Sequence, residues 1–296
     1  MNNIKNVAIA YDFKKTDDNS HMNRFLYILI TITLLSSCSE YQKVLKNEDI
    51  AAKFKMGEEL YNEGKFAKAN KLFAQIVPNY RGKPQAEKLM YLYSYSFYKM
   101  KDYYTAGYQF ERFASSYPKS EKLEEASFLG AKSYYMLSPA YTKDQKETKA
   151  AIEKLQDFIN LFPESEYLSE ANKLVKELDF KLEKKAFSIA KQYNTISDYP
   201  ASVKSFDNFL FDFPGSTLRE EALFLRFDSA YKLAVNSIEY KNTPNGIVPL
   251  KKNRLEQAKE FYTAFKKAYA NSKHIEEVNE MALVLEEELK KYSTKS

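Results

Sequence analysis

Few side chains in this sequence are of the types that perform catalysis. It contains one cysteine, Cys38, and two histidines, His21 and His274, which lie far apart along the chain. A nucleophile–base pair or a metal cluster needs several such groups at a matching spacing, and the seven glycines form no phosphate-binding loop. The acidic run Glu286–Glu288 is typical of a solvated helix face. The sequence therefore predicts a protein that is not an enzyme and that binds no metal ion and no dissociable cofactor.

Cys38 stands at the end of a short apolar run that begins after Arg24. As a helix, the run over 25–35 would span about 16 Å, which is too short for a bilayer core of about 30 Å. Its length is typical of a signal peptide, and small residues precede Cys38 as they do at a cleavage point. The alternative is an uncleaved anchor in which the cysteine is incidental.

The four residues Leu35-Ser36-Ser37-Cys38 resemble the lipobox of bacterial lipoprotein signal peptides. The resemblance implies that the Cys38 thiol takes a diacylglyceryl group, that the signal is cut before it, and that the new N-terminus is acylated. Each buried CH₂ contributes about 0.8 kcal/mol, so several acyl chains hold a protein on a membrane almost permanently. Covalent lipid on Cys38 is the one attached group that the sequence predicts.

The chain before the signal carries Asp12, Asp17 and Asp18, which are unusual ahead of a signal peptide. We therefore interpret Met22 as the true start. The predicted N-terminal segments are a misassigned extension over 1–21, a signal peptide over 22–37 and a lipidated tether over 38–49.

Composition indicates a folded helical body after the tether. Hydrophobic residues make up 44% of the chain and charged residues 29%, whereas glycine, which loop-rich and β-rich folds need in turns, occurs only seven times. The net charge is +5, and basic and acidic residues are mixed along the chain. This pattern is typical of a mixed solvated surface, so we expect no nucleic-acid partner.

Three segments of the body share one ending, in which an aromatic residue precedes a proline and a serine follows it. The prolines are Pro118, Pro163 and Pro214. Proline cannot continue a helix, and serine is a favourable N-cap, so we expect each segment to end one helix and begin the next.

The repeated pattern resembles the tetratricopeptide repeat, with a small residue on each second helix and a bulky one four residues later. The resemblance implies an all-α, right-handed superhelical solenoid of about five helix–turn–helix repeats with a C-terminal capping helix. The predicted repeats lie near 50–80, 86–118, 123–163, 168–214 and 218–270, and the capping helix covers 274–292. The small residues are Ala69, Ala106, Ala151, Ser202 and Ala258.

Tyr91, Tyr95 and Tyr98 share one helix face at spacings of four and three residues. By resemblance to the repeat family, this face would line a concave groove for an extended or helical peptide, because tyrosine offers a large contact area and a hydroxyl. The alternative is that these rings pack between repeats. The equivalent groove positions in the other repeats are Phe54, Tyr61, Phe128, Tyr135 and Phe187.

The whole arrangement resembles the BamD family, the lipoproteins of the outer-membrane β-barrel assembly machine. The segments that carry the resemblance are 61–77, 102–135 and 138–167, and the most specific feature is the insert with Asp144 and Gln145 ahead of a helix. The resemblance implies a lipid-anchored protein on the periplasmic face of the outer membrane. Repeats 1–3, over 50–167, would receive unfolded β-barrel clients, and 168–296 would bind the periplasmic domains of the central barrel protein BamA.

Two points stay open at this stage. The inserts over 138–149 and 239–253 are either partner-contacting loops or tolerated surface loops. The alternative function is that of a periplasmic repeat lipoprotein that coordinates cell-wall or envelope synthesis.

Overall fold

The computed structural model describes residues 40–244 and 246–293. Cys38, the predicted extension over 1–21 and the predicted signal peptide over 22–37 lie outside the described residues. None of the helices in the described part of the chain combines the length and the apolar character that a membrane crossing needs.

The chain divides into two compact units, Met1–Ser133 and Tyr134–Ser296. In chain order, the first contains a helical stretch over 40–46 (α1), α2 (Ile50–Asn62), α3 (Phe66–Ile76), a 3₁₀ helix (Val77–Tyr80), α4 (Ala86–Lys99), α5 (Tyr103–Ser116) and α6 (Leu123–Leu137), whose last turn falls in the second unit. The second continues with α7 (Lys146–Leu161), α8 (Leu168–Thr195), α9 (Tyr199–Asp212), α10 (Arg219–Val235), β1 (Lys241–Thr243), β2 (Gly246–Val248), α11 (Leu250–Ala268) and α12 (Ile275–Ser293).

Helices that are adjacent in sequence pack against each other in both units. In the first unit, α2 packs on α3, α3 on α4 and α4 on α5. In the second, each helix from α7 to α12 packs on the next. The predicted all-α fold of helix–turn–helix repeats is confirmed. The boundary between the two compact units lies at 133–134. The division after residue 167 into a client-binding and a partner-binding part stays a prediction.

The predicted helix–helix interfaces are also confirmed. The five small residues of the second helices are all fully buried, so paired helices approach closely there. Four residues later in three of the repeats, Phe73, Phe110 and Phe206 are fully buried as well. These three repeats therefore close around a small residue and a ring that fills the neighbouring space.

The turn inside a repeat recurs three times with different residues. Gly64, Lys101 and Ser197 have positive φ angles of 75°, 64° and 62°. In the second and third turns, Asp102 and Asp198 follow at once, and each accepts a hydrogen bond from the amide three residues on at 3.2 Å. The N-cap hydrogen bond thus stabilises the two turns in which a residue other than glycine adopts the left-handed conformation.

The prediction that the serines after the prolines cap the next helices is wrong. Ser165 and Ser216 accept bonds from the amides of Tyr167 and Leu218, at 3.0 and 3.1 Å. Tyr167 and Leu218 are themselves the N-cap residues, and their side chains make no capping hydrogen bond. The chain makes an extra turn after each proline, and the serine stabilises that turn instead.

The fifth repeat contains a small β-hairpin inside its insert. Lys241 pairs with Val248 and Thr243 with Gly246 in an antiparallel register. The insert was predicted as a loop, and the hairpin is the one pair of strands among the described residues. It adds a local feature to the helical repeat.

The last helix buries apolar side chains on one side and exposes others on another side. Val278 and Leu285 are buried. Leu283, on the other side, is 64% exposed, and Val284 is 38% exposed. The predicted capping helix therefore ends the packed array while it leaves apolar surface open to solvent.

Candidate functional site

Four tyrosines of the first unit form one continuous group of rings, which we call the tyrosine cluster: Tyr61, Tyr91, Tyr95 and Tyr98. Tyr95 lies at its centre, with ring centroids 5.9 Å from those of Tyr61 and Tyr91 and 6.2 Å from that of Tyr98. Tyr61 comes from the end of α2, and the other three share one face of α4. All four side chains are half-buried, so each keeps part of its ring in contact with solvent.

The inner side of the cluster is held by the core of the second repeat. The Tyr91 ring meets the edges of Phe110 and Phe113, with centroids 6.3 and 5.8 Å away. Both phenylalanines are fully buried on α5. All four rings of the cluster pack against buried core residues, and Tyr91 packs against the cores of both the first and the second repeat.

Charged groups border the cluster. The Lys99 ammonium lies 5.2 Å from the Tyr95 ring centre, and the Lys122 ammonium lies 5.5 Å from that of Tyr91. Lys122 also pairs with Glu125 at 2.8 Å. These distances place two cations over tyrosine faces, where the ring quadrupole attracts positive charge.

Burial raises the pKa values of two phenols in the cluster. Desolvation raises the pKa of Tyr61 and of Tyr91, and the negative charge of Glu125 raises both further. Both phenols are therefore neutral at physiological pH. The cluster offers flat apolar faces with uncharged hydroxyls, which suits contact with an apolar peptide segment.

Three of the predicted groove rings lie in the core instead. Phe54, Phe128 and Phe187 are 7%, 2% and 8% exposed. Phe54 stacks on Tyr80, with centroids 5.5 Å apart. Because phenylalanine has no polar atom to keep hydrated, full burial stabilises it where a tyrosine at an equivalent position remains at the surface. The prediction that these three rings line an open groove is corrected.

Tyr135 lies in the second unit and is half-buried. Its hydroxyl donates a hydrogen bond to Glu177 Oε2 at 2.6 Å. That bond and burial raise the pKa of Tyr135 to about 12. The structure thus gives this tyrosine a partner on α8, and the ring contacts that define the tyrosine cluster belong to the first unit.

The family insert is a closed loop held by Gln145. Its buried amide nitrogen donates to the carbonyls of Ala140 and Lys143, each at 2.9 Å, and its oxygen accepts from the Thr148 hydroxyl at 2.8 Å. Asp144 Oδ1 accepts from the amide two residues on at 2.8 Å. The two residues that make the insert specific therefore stabilise its backbone.

Lysines of α8 fasten the same insert. Lys181 donates to the Ser138 hydroxyl at 2.6 Å, and Lys185 donates to the Lys143 carbonyl at 2.5 Å. Lys184 lies 4.7 Å from the Tyr141 ring centre. These contacts pack the insert against α8 of its own chain.

Two aromatic residues that the sequence did not predict as site residues also contact the tyrosine cluster. Phe66 meets the Tyr61 ring at 5.4 Å, and Tyr103 meets the Tyr98 ring at 5.6 Å. Both are the first residues of second helices, directly after the turns described above. An aromatic residue at the first position of the second helix occurs in both repeats, and this pattern could have assigned Phe66 and Tyr103 to the site. The first residue of a second helix lies beside the last turn of the first helix.

No group of three or more histidine, cysteine, aspartate or glutamate side chains that could hold a metal ion occurs within the described ranges. The ring of His274 stacks on Phe224, with centroids 3.8 Å apart, and its Nε2 lies 3.1 Å from Glu221. These contacts link the start of α12 to α10.

The chain resembles known proteins over most of its length. A family model described as YfiO, outer membrane lipoprotein, matches residues 46–244. The outer membrane protein assembly factor BamD of Pasteurella multocida (strain Pm70) is 21% identical over 230 residues, which are 74% of this chain and 88% of that protein. The protein of the same name from Rickettsia prowazekii (strain Madrid E) is 24% identical over 191 residues, which are 62% of this chain and 76% of that protein.

Among solved structures, the TPR2AB domain of yeast Sti1 is similar over 80% of this chain and 98% of its own length. Its sequence identity is 17% and its TM-score is 0.35, a global similarity too low to support an inference about this chain. The family match, in contrast, extends over more than half of the chain. This chain therefore belongs to the YfiO family of outer membrane lipoproteins.

Proposed function

We propose that this protein is a non-enzymatic scaffold of the β-barrel assembly machinery, held by lipid on Cys38 at the periplasmic face of the outer membrane. The observation that carries the proposal is the tyrosine cluster, a half-exposed set of rings with two lysines at its border. Support comes from the relatives, which bear the name outer membrane protein assembly factor.

The client of the tyrosine cluster would be an extended segment of an unfolded β-barrel protein that ends in an aromatic residue. Rings at centroid distances near 6 Å leave flat faces on which an aromatic side chain can stack. Lys99 lies beside Tyr95, where a chain-terminal carboxylate would gain a charge-assisted hydrogen bond. The cluster therefore suits both the apolar and the anionic parts of such a segment.

The second unit would contact the barrel-bearing partner, a BamA-like protein with periplasmic domains. Exposed apolar side chains are available there, with Phe211 85% exposed on α9 and Ile247 71% exposed on the hairpin. Neither lies in a packed interface of the unit. A partner that covers such a side chain gains about 1.5–3 kcal/mol by removing it from water.

Depletion of the protein in its own bacterium tests the proposal. A scaffold of barrel assembly should lower the amounts of many outer-membrane β-barrel proteins together, while lipoproteins and inner-membrane proteins stay at their normal amounts. Affinity purification of the tagged protein from membranes should then recover a large barrel protein with periplasmic domains.

The opposite result points to the other function. Normal barrel levels accompanied by a defect in cell shape or division would contradict the proposal and support coordination of cell-wall or envelope synthesis. Purification without any barrel protein would contradict the proposed partner of the second unit.

A further inference from the structure

The first described residues are docked on the first repeat. Tyr41, in α1, is only 8% exposed. Its hydroxyl donates a hydrogen bond to the Lys68 carbonyl on α3 at 3.4 Å, and the Lys68 ammonium lies 5.4 Å from its ring centre. The segment predicted to be a tether over 38–49 is therefore helical over 40–46 and fixed to α3 at Tyr41.

This docking point lies close in sequence to the proposed acylation site. Only three peptide units separate Cys38 from Tyr41. A fully extended chain covers about 3.3–3.6 Å per residue, so the two Cα atoms are separated by at most about 11 Å. If Cys38 carries acyl chains, Tyr41 and the α3 residue that it contacts, Lys68, must lie close to the bilayer surface.

Four exposed lysines lie on the two docked helices, and the exposed carboxylates nearest to them in sequence are Glu40 on α1 and Glu48 and Asp49 just after it. Lys43 and Lys46 are exposed on α1, and Lys68 and Lys71 are exposed on α3. The sequence of α3, FAKANKLFAQI, contains no acidic residue. Within the described residues, no carboxylate forms an ion pair with Lys43, Lys46 or Lys71 at 4.0 Å or less. We call these four lysines, with the helix faces that carry them, the basic face.

We propose that the basic face lies against the bilayer and that its lysines contact anionic lipid headgroups. The inference rests on acylation of Cys38, which is part of the proposed function. The short chain before Tyr41 keeps the unit near the membrane, and the charge selects which side is turned toward it. A lysine near an anionic membrane surface strengthens the attraction by roughly fivefold. The acylated protein is thus oriented as well as anchored.

Energy transfer from a single tryptophan to dansyl-labelled headgroups tests this orientation, because the natural chain contains no tryptophan. Gln75→Trp places the donor on the side of α3 that carries Lys68 and Lys71. Tyr104→Trp places it on α5, at a site that is 74% exposed. In acylated protein on vesicles that contain phosphatidylglycerol, the Gln75→Trp variant should show the stronger transfer.

Charge reversal tests the role of the lysines. The triple variant Lys43→Glu, Lys46→Glu, Lys71→Glu should lower the transfer from the Gln75→Trp donor on the same vesicles. A matched variant with the same charge change, Arg81→Glu, Lys101→Glu, Lys119→Glu, alters exposed loop positions and should leave the transfer unchanged. In about 1 M salt, where screening acts beyond about 3 Å, the signal of the natural lysines should fall as well.

Two outcomes would overturn the inference. Equal transfer from the two donor positions would mean that the basic face is not turned to the membrane. Unchanged transfer after reversal of the three lysines would mean that headgroup charge does not orient the unit. Palmitate labelling of the same preparations tests acylation separately, and barrel levels after depletion test the proposed function, so failure of one is distinguishable from failure of the others.

Discussion

Gly57 on α2 lies directly against the ring of Phe73 on α3. A Cβ atom at position 57 would come within 2.5 Å of Phe73 Cε1 and 3.0 Å of Cδ1. Phe73 is fully buried in the core of the first repeat, so its ring has no free space into which it can move. The absence of a side chain at Gly57 is what allows α2 and α3 to approach so closely.

We expect Gly57→Ala to destabilise the protein although alanine is the better helix former. Overpacking of a core typically costs about 1–3 kcal/mol, whereas alanine recovers at most about 1 kcal/mol of helix propensity. The net loss in the free energy of unfolding should be about 1–2 kcal/mol, measured by urea denaturation. Gly215→Ala is the control, since no atom lies within 4 Å of its Cβ position, and it should change little. An equally stable Gly57→Ala protein would contradict the close contact.

The repeat was predictable from sequence because its signals are local. The small residues, exemplified by Ala106, and the ring four residues later, Phe110, lie on one helix and face one neighbour. Proline stops the helix whatever surrounds it. Such rules need no knowledge of distant residues, and the observed helices follow them.

The exposure of individual rings was not predictable in the same way. Phe54 and Tyr61 lie on the same helix, yet Phe54 is buried because Tyr80, in a 3₁₀ helix further along the chain, covers it. The loop closed by Gln145 likewise depends on contacts with α8 that no local pattern shows. The hairpin, in contrast, could have been predicted from the local sequence. The Asn-Gly pair over 245–246 is a strong hairpin signal, which the prediction of a loop did not use.

Gln145→Ala should loosen the family insert. The substitution removes the buried amide that holds Ala140 and Lys143, and it leaves Thr148 without its acceptor. Loss of buried hydrogen bonds of this kind costs about 1–3 kcal/mol. Amide hydrogen exchange should accelerate over 138–148, whereas Gln156→Ala, at an exposed position of α7, should leave exchange there unchanged. Unaltered protection in the Gln145 variant would show that the lysines of α8 hold the insert by themselves.

Tyr135 should make stability depend on alkaline pH. Its pKa is raised from 10.0 to about 12, first by the hydrogen bond to Glu177 and then by burial. The folded chain therefore keeps a proton that the unfolded chain loses, so the stabilisation is complete below the unfolded pKa and is lost as pH rises through the folded pKa. Tyr135→Phe should lower the urea midpoint at about pH 9 and approach the natural protein near pH 12. Glu177→Gln should behave similarly, and a midpoint difference that is constant with pH would contradict the linkage.

Cys38→Ser should separate the protein from the membrane. Without the thiol, the diacylglyceryl group has no attachment point, so the precursor is not processed at this site. We expect the variant to incorporate no palmitate and to remain as unprocessed precursor or to appear in the soluble fraction. Normal palmitate labelling would rule out acylation at Cys38, and a Ser39→Ala variant serves as the control for a change beside the cysteine.

The rings of the tyrosine cluster differ in how directly they contact the core. Tyr91 contacts the buried rings of Phe110 and Phe113, so its loss would disturb the core as well as the surface. Tyr95 and Tyr98 also pack against the core of the second repeat, but their ring contacts are with other half-buried rings. A test of peptide binding should therefore replace these two and keep Tyr91.

The double variant Tyr95→Ala, Tyr98→Ala should bind a synthetic peptide that ends in phenylalanine roughly tenfold or more weakly, because aromatic contact residues commonly contribute more than 1 kcal/mol each. Fluorescence anisotropy of the labelled peptide measures the affinity, and far-ultraviolet circular dichroism should show unchanged helicity. Tyr104→Ala, Tyr108→Ala is the matched control, since both tyrosines are exposed on α5 and outside the cluster. Unchanged affinity in the first variant, or an equal loss in both, would contradict the role of the cluster. A collapse of thermal stability in the first variant alone would instead identify Tyr95 and Tyr98 as core residues.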